Sequence, residues 1–207
     1  MDALIKNIES IKNTSIKSIV NKKIEEFKII GKGSNDDLFK ELCFCILAAN
    51  YNAEKTMTIQ EKINNGFLQD DINELTDKLR KLGYRYPNTR ARYITEARTY
   101  KEQLKDIINT KDREERRTWL VKNIKGIGYK ESSHFLRNIG FNDYAIIDYH
   151  IIDLLVKHGI TDKPKTITKK VYLKTEEKLR SIAERVNLTL AELDLYLWYI
   201  ETGRIIK

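Results

Sequence analysis

Apolar residues recur at helical spacing almost throughout the chain, and alternating runs of strand type are scarce. Residues 2–29 predict one or two amphipathic helices ending at Gly31 and Gly33. Ser34 or Asn35 then caps a helix through Leu38, Leu42, Phe44, Ile46 and Leu47, apolar enough to be central. Two more helices are predicted near 55–65 and 71–82, the second closing at Gly83. A loop from Tyr84 to Thr89, punctuated by Pro87, leads to a helix capped by Thr89 that carries Arg90, Arg92, Tyr93, Ile94 and Ala97.

Another helix is predicted over roughly 112–123, followed by a glycine turn and a helix from near Tyr129 to Gly140. Asp148 stands at an N-cap position ahead of Ile151, Ile152, Leu154 and Leu155. Two further helices follow. One begins near Thr175, and the other opens on the capping box Thr189-Leu-Ala-Glu192 and runs to Gly203. The predicted fold class is all-α with two helical lobes, 1–33 plus 126–207 forming one and 34–125 the other. A helix-hairpin-helix motif is expected at an interlobe cleft, the natural ligand site.

Composition narrows the partners. Lys+Arg 38 against Asp+Glu 30 gives a net charge of +8, which favours a polyanion without specifying one. Cys43 and Cys45 sit in an apolar run and read as core side chains; two cysteines also cannot supply the thiolates of a conventional iron–sulfur cluster. No metal site and no cofactor are expected. No segment approaches the roughly 20 apolar residues of a membrane span, and no signal peptide is visible, so a soluble cytoplasmic protein is expected. Nothing in the sequence demands more than a monomer.

The chemistry concentrates in Lys125-Gly-Ile-Gly-Tyr-Lys130 and in Asp148-Tyr-His150. Gly126 and Gly128 let the backbone turn sharply just before a helix begins, so free N–H groups face outward and suit a DNA phosphate. A G-x-G turn alone also fits an ordinary helix connection; the lysine in the next helix's first turn strengthens the phosphate reading. Lys130 taken singly reads as one exposed lysine among many. As a nucleophile it must be neutral, a state that an ordinary lysine of pKa about 10.4 reaches in about one molecule in two thousand at pH 7. Asp148 serves as a helix cap and can also stabilise the positive charge that develops on a sugar as its base departs. His150, in the first turn of the same helix, suits either a phosphate contact or a structural role.

Lys-Gly-Ile-Gly-Tyr-Lys followed by Ala-Ile-Ile-Asp-Tyr-His, with 18 positions from Lys130 to Asp148, resembles the helix-hairpin-helix-GPD superfamily of DNA glycosylases. The resemblance implies that the hairpin binds backbone phosphates, that Asp148 is catalytic, and that Lys130 marks a bifunctional glycosylase/AP lyase. Leu82-Gly-Tyr-Arg85, interrupted by Tyr86-Pro-Asn-Thr89 and resumed as Arg90-Ala-Arg-Tyr93, looks like the 8-oxoguanine glycosylases. That region there meets the base left unpaired, and this chain offers it Arg85, Arg90 and Arg92. Asn50 matches the place of a gap-filling polar side chain. The run from Asp194 to Lys207 is similar to the short archaeal-type 8-oxoguanine DNA glycosylases, which end in lysine beside the base pocket. The likeness spans roughly residues 34–207.

The expected activity is excision of 8-oxoguanine from double-stranded DNA through a lysine Schiff base, with β-elimination at the resulting abasic site. The base pocket is expected to comprise His134, Asp194, Trp198 and Lys207. His134 stands where the eukaryotic enzymes place a cysteine against the damaged base. Trp198 offers a stacking surface, although Leu193, Leu197 and Trp198 also share core spacing. Asp194 can accept hydrogen bonds from the guanine edge or lie on a solvated face. The terminal carboxylate of Lys207 is implied as acceptor for the lesion's added N7–H. The competing readings are a glycosylase for other oxidised bases and a non-catalytic helix-hairpin-helix DNA-binding module.

Overall fold

The computed structural model describes residues 1–207: thirteen α-helices, one 3-10 segment and no strand. α1 (Asp2–Lys12) and α2 (Ile16–Lys32) are separate helices, divided where Thr14 Oγ1 turns back to the carbonyl of Ile11 at 2.7 Å. α2 passes through Gly31 instead of stopping there. A Cβ on Gly31 would collide with the carbonyl of Ile139, so glycine permits a close backbone approach.

α3 (Asn35–Ala48) is capped by Ser34, whose N–H is accepted by Asp37 Oδ2 at 2.9 Å while its Oγ accepts the Asp37 N–H at 3.2 Å. Ten of its residues, from Leu38 and Phe39 to Ala48, are buried, as befits a helix apolar on every side. Each large aliphatic or aromatic side chain so buried contributes about 1.5–3 kcal/mol. Cys43 and Cys45 are buried among them and form no disulfide, and burial pushes the Cys43 thiol well above its ordinary range.

α4 (Ala53–Ile63), α5 (Gly66–Gln69) and α6 (Ile72–Lys81) follow. α7 (Pro87–Ala97) starts at Pro87, not after Thr89: the fixed φ of proline suits a helix's first position, where its missing N–H costs nothing. A 3-10 segment (Arg98–Gln103) and α8 (Leu104–Asn109) fill a stretch without a sequence prediction. α9 (Arg113–Asn123) is capped by Asp112, and α10 (Tyr129–Asn138) follows the glycine turn. α11 (Tyr149–Lys157) is capped by Asp148. α12 (Lys169–Arg185) follows the Thr168 cap and begins six residues before Thr175; its buried face includes polar Thr175 and Glu176, which interrupts the apolar periodicity. α13 (Leu190–Thr202) has the expected Thr189 capping box and a left-handed Gly203 at its end.

The chain forms two compact units, Met1–Ile29 with Gly140–Lys207, and Ile30–Ile139. The division drawn from sequence grouped residues 126–139 with the chain's ends. Packing groups them with the central segment, because α10 lies against α3 and α9. In the first unit Val20, Ile24 and Phe27 pack with Ala191, Leu195 and Tyr196, and Ile205 folds back onto that cluster. In the second unit the buried Glu41 carboxylate on α3 accepts from Asn138 Nδ2 at 2.6 Å, joining α3 to α10 through a polar contact. No helix is long and apolar enough to cross a membrane.

Candidate active site

The glycine turn belongs to the second unit. Gly126 adopts φ +88°, and a Cβ there would lie 2.5 Å from the Tyr93 ring and 2.6 Å from Arg90 Nη1. Two independent reasons therefore require glycine: a left-handed backbone and a full neighbourhood. Gly128 differs. Its φ is −109°, and a Cβ would meet only Glu131 Oε2, at 3.5 Å. The Gly128 N–H donates to that same oxygen at 3.1 Å, closing the start of α10.

Lys130 is the second residue of α10, with about a quarter of its side chain exposed; its Nζ lies 3.9 Å from Glu131 Oε1. Glu131 thus faces the bend with one oxygen and the amine with the other. Tyr129 lies under the guanidinium of Arg117, 5.3 Å from the ring centroid. Arg117 is fully buried and donates to Ser133 Oγ at 3.3 Å and to Glu114 Oε1 at 2.6 Å, so α9 grips the first turn of α10 on both sides of Lys130. His134, one turn beyond Lys130, is buried with its ring edge-on to Phe44 at 5.5 Å.

The other second-unit residues divide by exposure. Arg90 is buried, and its guanidinium donates to the carbonyls of Gly126 at 3.3 Å and Ala49 at 3.0 Å. It was expected among the DNA-binding arginines, yet its charged group is committed to the backbone and ties the hairpin to the turn after α3. Arg85 and Arg92 are exposed, lying over Tyr86 at 4.9 Å and Tyr93 at 5.6 Å respectively. Asn50 is exposed at that turn with φ +59°, a conformation asparagine tolerates better than most residues.

In the first unit, Asp148 caps α11: its Oδ1 accepts the Ile151 N–H at 3.0 Å. The carboxylate is half-buried, while Tyr149 and His150 beside it are exposed. The His150 ring meets Trp198 edge-on at 5.8 Å, so the structure brings these two site residues together. Trp198 is half-buried on α13, and its buried indole N–H has no hydrogen-bond partner in the protein. Asp194, one turn earlier, borders a small pocket with Ala145, Ile146, Ile151, Leu190 and Leu197. An acid on an apolar rim is better placed for recognition than one on a wholly solvated face. Lys207 follows the anchored Ile205 and is half-buried.

Sequence reasoning missed four supporting residues: Glu131, Arg117, and Tyr172 and Glu176 of α12, whose side chains hydrogen-bond the backbone of Ala145 and Ile147 just before Asp148. Glu131 had a legible signal, since an acid three residues after a cap position marks a capping box. The other three act across long sequence separations and leave no local pattern.

The likeness to known proteins is extensive. A family described as 8-oxoguanine DNA glycosylase matches residues 20–188. The 8-oxoguanine DNA glycosylase/AP lyase of Methanocaldococcus jannaschii is 52% identical over 206 residues, 99% of each chain. A crystal structure of the 8-oxoguanine glycosylase/lyase from that organism, in complex with a 15mer DNA containing 8-oxoguanine, gives a TM-score of 0.95 at 50% identity, over 99% of this chain and 100% of that one. The 8-oxoguanine DNA glycosylase of Thermotoga maritima gives 0.93 at 43% identity, over 100% of this chain and 99% of that one. With two thirds of the chain exceeded in every one of these matches, it belongs to the 8-oxoguanine DNA glycosylase family.

Proposed function

We infer that this protein excises 8-oxoguanine from double-stranded DNA and cleaves the strand at the abasic site that results. The observation that carries the reading is that one chain holds Lys130 in the first turn of α10 behind a tightly packed glycine bend, and Asp148 as a helix cap that engages one carboxylate oxygen on Ile151. The second Asp148 oxygen is then available to a sugar.

The target base leaves the stack at a cost of a few kcal/mol, offset by pocket contacts. The neutral Lys130 amine donates its lone pair to C1′, the glycosidic bond breaks, and its electron pair departs with the base, which is then protonated. Asp148 stabilises the positive charge that builds on the sugar. The ammonium so formed loses one of its two protons, the C1′–O4′ bond opens with a proton going to O4′, and the nitrogen keeps its remaining proton in a protonated Schiff base. Loss of a C2′ proton next expels the 3′ phosphate by β-elimination. Glu131 Oε1 stands 3.9 Å from the amine and helps to keep its side chain directed.

Gly126 and Gly128 present the hairpin to a phosphate, His150 meets another, and Arg85, Arg92 and Asn50 face the unpaired base. Arg90 acts at one remove, by holding the hairpin. Trp198 stacks on the extruded base or donates its unsatisfied indole N–H. Asp194 and Lys207 read the base edge, and His134 contacts the damaged base.

Borohydride trapping on a duplex bearing 8-oxoguanine tests the assignment. The wild type cross-links; K130Q loses cross-linking and turnover while retaining DNA affinity, and D148N excises far more slowly but measurably. Absence of any trapped adduct with the wild type overturns the lyase step.

A further inference from the structure

Residues 141–148 carry no regular secondary structure, yet Tyr144, Ala145, Ile146 and Ile147 are buried. A buried irregular backbone must find partners for its N–H and C=O groups. α12 supplies them in sequence. Tyr172 Oη accepts the Ile147 N–H at 3.3 Å and donates to the Ala145 carbonyl at 2.6 Å. Glu176 Oε1 accepts the Ala145 N–H at 3.1 Å, and Arg180 Nη2 donates to the Asp143 carbonyl at 3.2 Å.

The register is regular. Steps of four residues along α12, 172 to 176 to 180, match steps of two along the segment, 147 to 145 to 143. Four helical residues rise about 6 Å, and two extended residues span about 6.6 Å, so the two repeats stay in phase. The rail runs antiparallel to the segment, and its Tyr172 rung falls on the residue immediately before Asp148. Tyr172 and Glu176 are both buried, so these bonds are shielded from water.

We propose that Tyr172 and Glu176 are positioning residues for Asp148, fixing through the backbone where its carboxylate stands. The proposal rests on the reading of Asp148 as the catalytic carboxylate. The Ile151 bond orients the side chain, whereas the α12 rail sets the height of the main chain that bears it. Removing the Tyr172 hydroxyl frees the Ile147 N–H and lets the cap drift. Misplacement on the scale of 1 Å costs a reaction about 100-fold, so a partial drift costs about 10- to 100-fold.

The experiment measures single-turnover excision from an 8-oxoguanine duplex, well below each variant's melting temperature, together with affinity for an uncleavable abasic duplex. Y172F is expected to lower the excision rate about 10- to 100-fold, with affinity held. E176A falls, E176Q, which keeps an acceptor oxygen, recovers most of the loss, and R180Q, at the rung farthest from Asp148, stays near wild type. In a D148N background Y172F adds no further loss. The Glu176 pair gives the same test independently should Y172F fold poorly. The positioning role is overturned if losses rank by thermal destabilisation rather than by nearness to Asp148, or if the Y172F loss persists in full on D148N. A D148N enzyme with undiminished excision would instead remove the catalytic reading of Asp148 itself.

Discussion

The helix bearing Lys130 and the segment bearing Asp148 are built on opposite principles. α10 turns a polar face inward: Ser132, Ser133, His134, Arg137 and Asn138 are all buried, and Arg117 and Glu41 reach it from neighbouring helices. α11 buries only aliphatic side chains, Ile151, Ile152, Leu154 and Leu155, and the approach to Asp148 is held by side chain-to-backbone hydrogen bonds from α12. Buried charge is intolerant of losing a partner, whereas a single neutral hydrogen bond contributes only about 1 kcal/mol net. The rung beside Asp148, the neutral Tyr172 hydroxyl, can therefore loosen by degrees, whereas the charged Arg117 beside the lysine, like Glu176 farther along the rail, fails abruptly.

That contrast is open to test. E114A leaves the fully buried Arg117 guanidinium without that carboxylate; a loss of about 3–5 kcal/mol is expected on chemical denaturation. Y172F, its counterpart on the carboxylate side, is expected to lose about 1–3 kcal/mol while slowing excision disproportionately. Equal destabilisation by the two would erase the distinction. G126A comes next, with about 1–3 kcal/mol of backbone strain at φ +88°, added to the collision with Tyr93, and weakened binding to undamaged duplex.

The smallest effect lies far from either residue. S34A removes the α3 cap and is expected to cost about 1 kcal/mol. Ser34 also holds the Asp37 carboxyl below its usual range, chiefly through the side-chain hydrogen bond and then the backbone one. A depressed folded-state pKa contributes stability above the ordinary carboxylate range, lost as pH falls through the folded value. The S34A penalty should therefore shrink on acidification below about pH 4 in thermal melts. A penalty independent of pH would assign the cap's contribution to geometry alone.

Much of this architecture was legible because its signals are local. The α3 core run, the Thr189 box, Gly203 and the Asp148 cap all lie within a few residues of what they control. The start of α7 was misplaced because Thr89 mimics a cap while Pro87 occupies the true first position. α12 was shortened because Tyr172, Thr175 and Glu176 put polar groups on its buried face. Tyr172 and Glu176 hydrogen-bond the backbone of residues 145 and 147, about thirty positions earlier, and no window of sequence contains both halves of that arrangement. Arg90 shows the same limit from the other side. Among exposed arginines it looks like a DNA contact, and only the fold reveals that its guanidinium is spent on Ala49 and Gly126.

The two glycines of the turn respond to different selective pressures. At 126 the protein's own atoms forbid a side chain, so glycine there is a condition of folding. At 128 the backbone is ordinary and only the tip of Glu131 stands near, so the molecule alone would accept alanine. Where relatives vary, position 126 should stay fixed in any chain that keeps this turn. Invariance at 128 would be the imprint of whatever presses against the surface from outside.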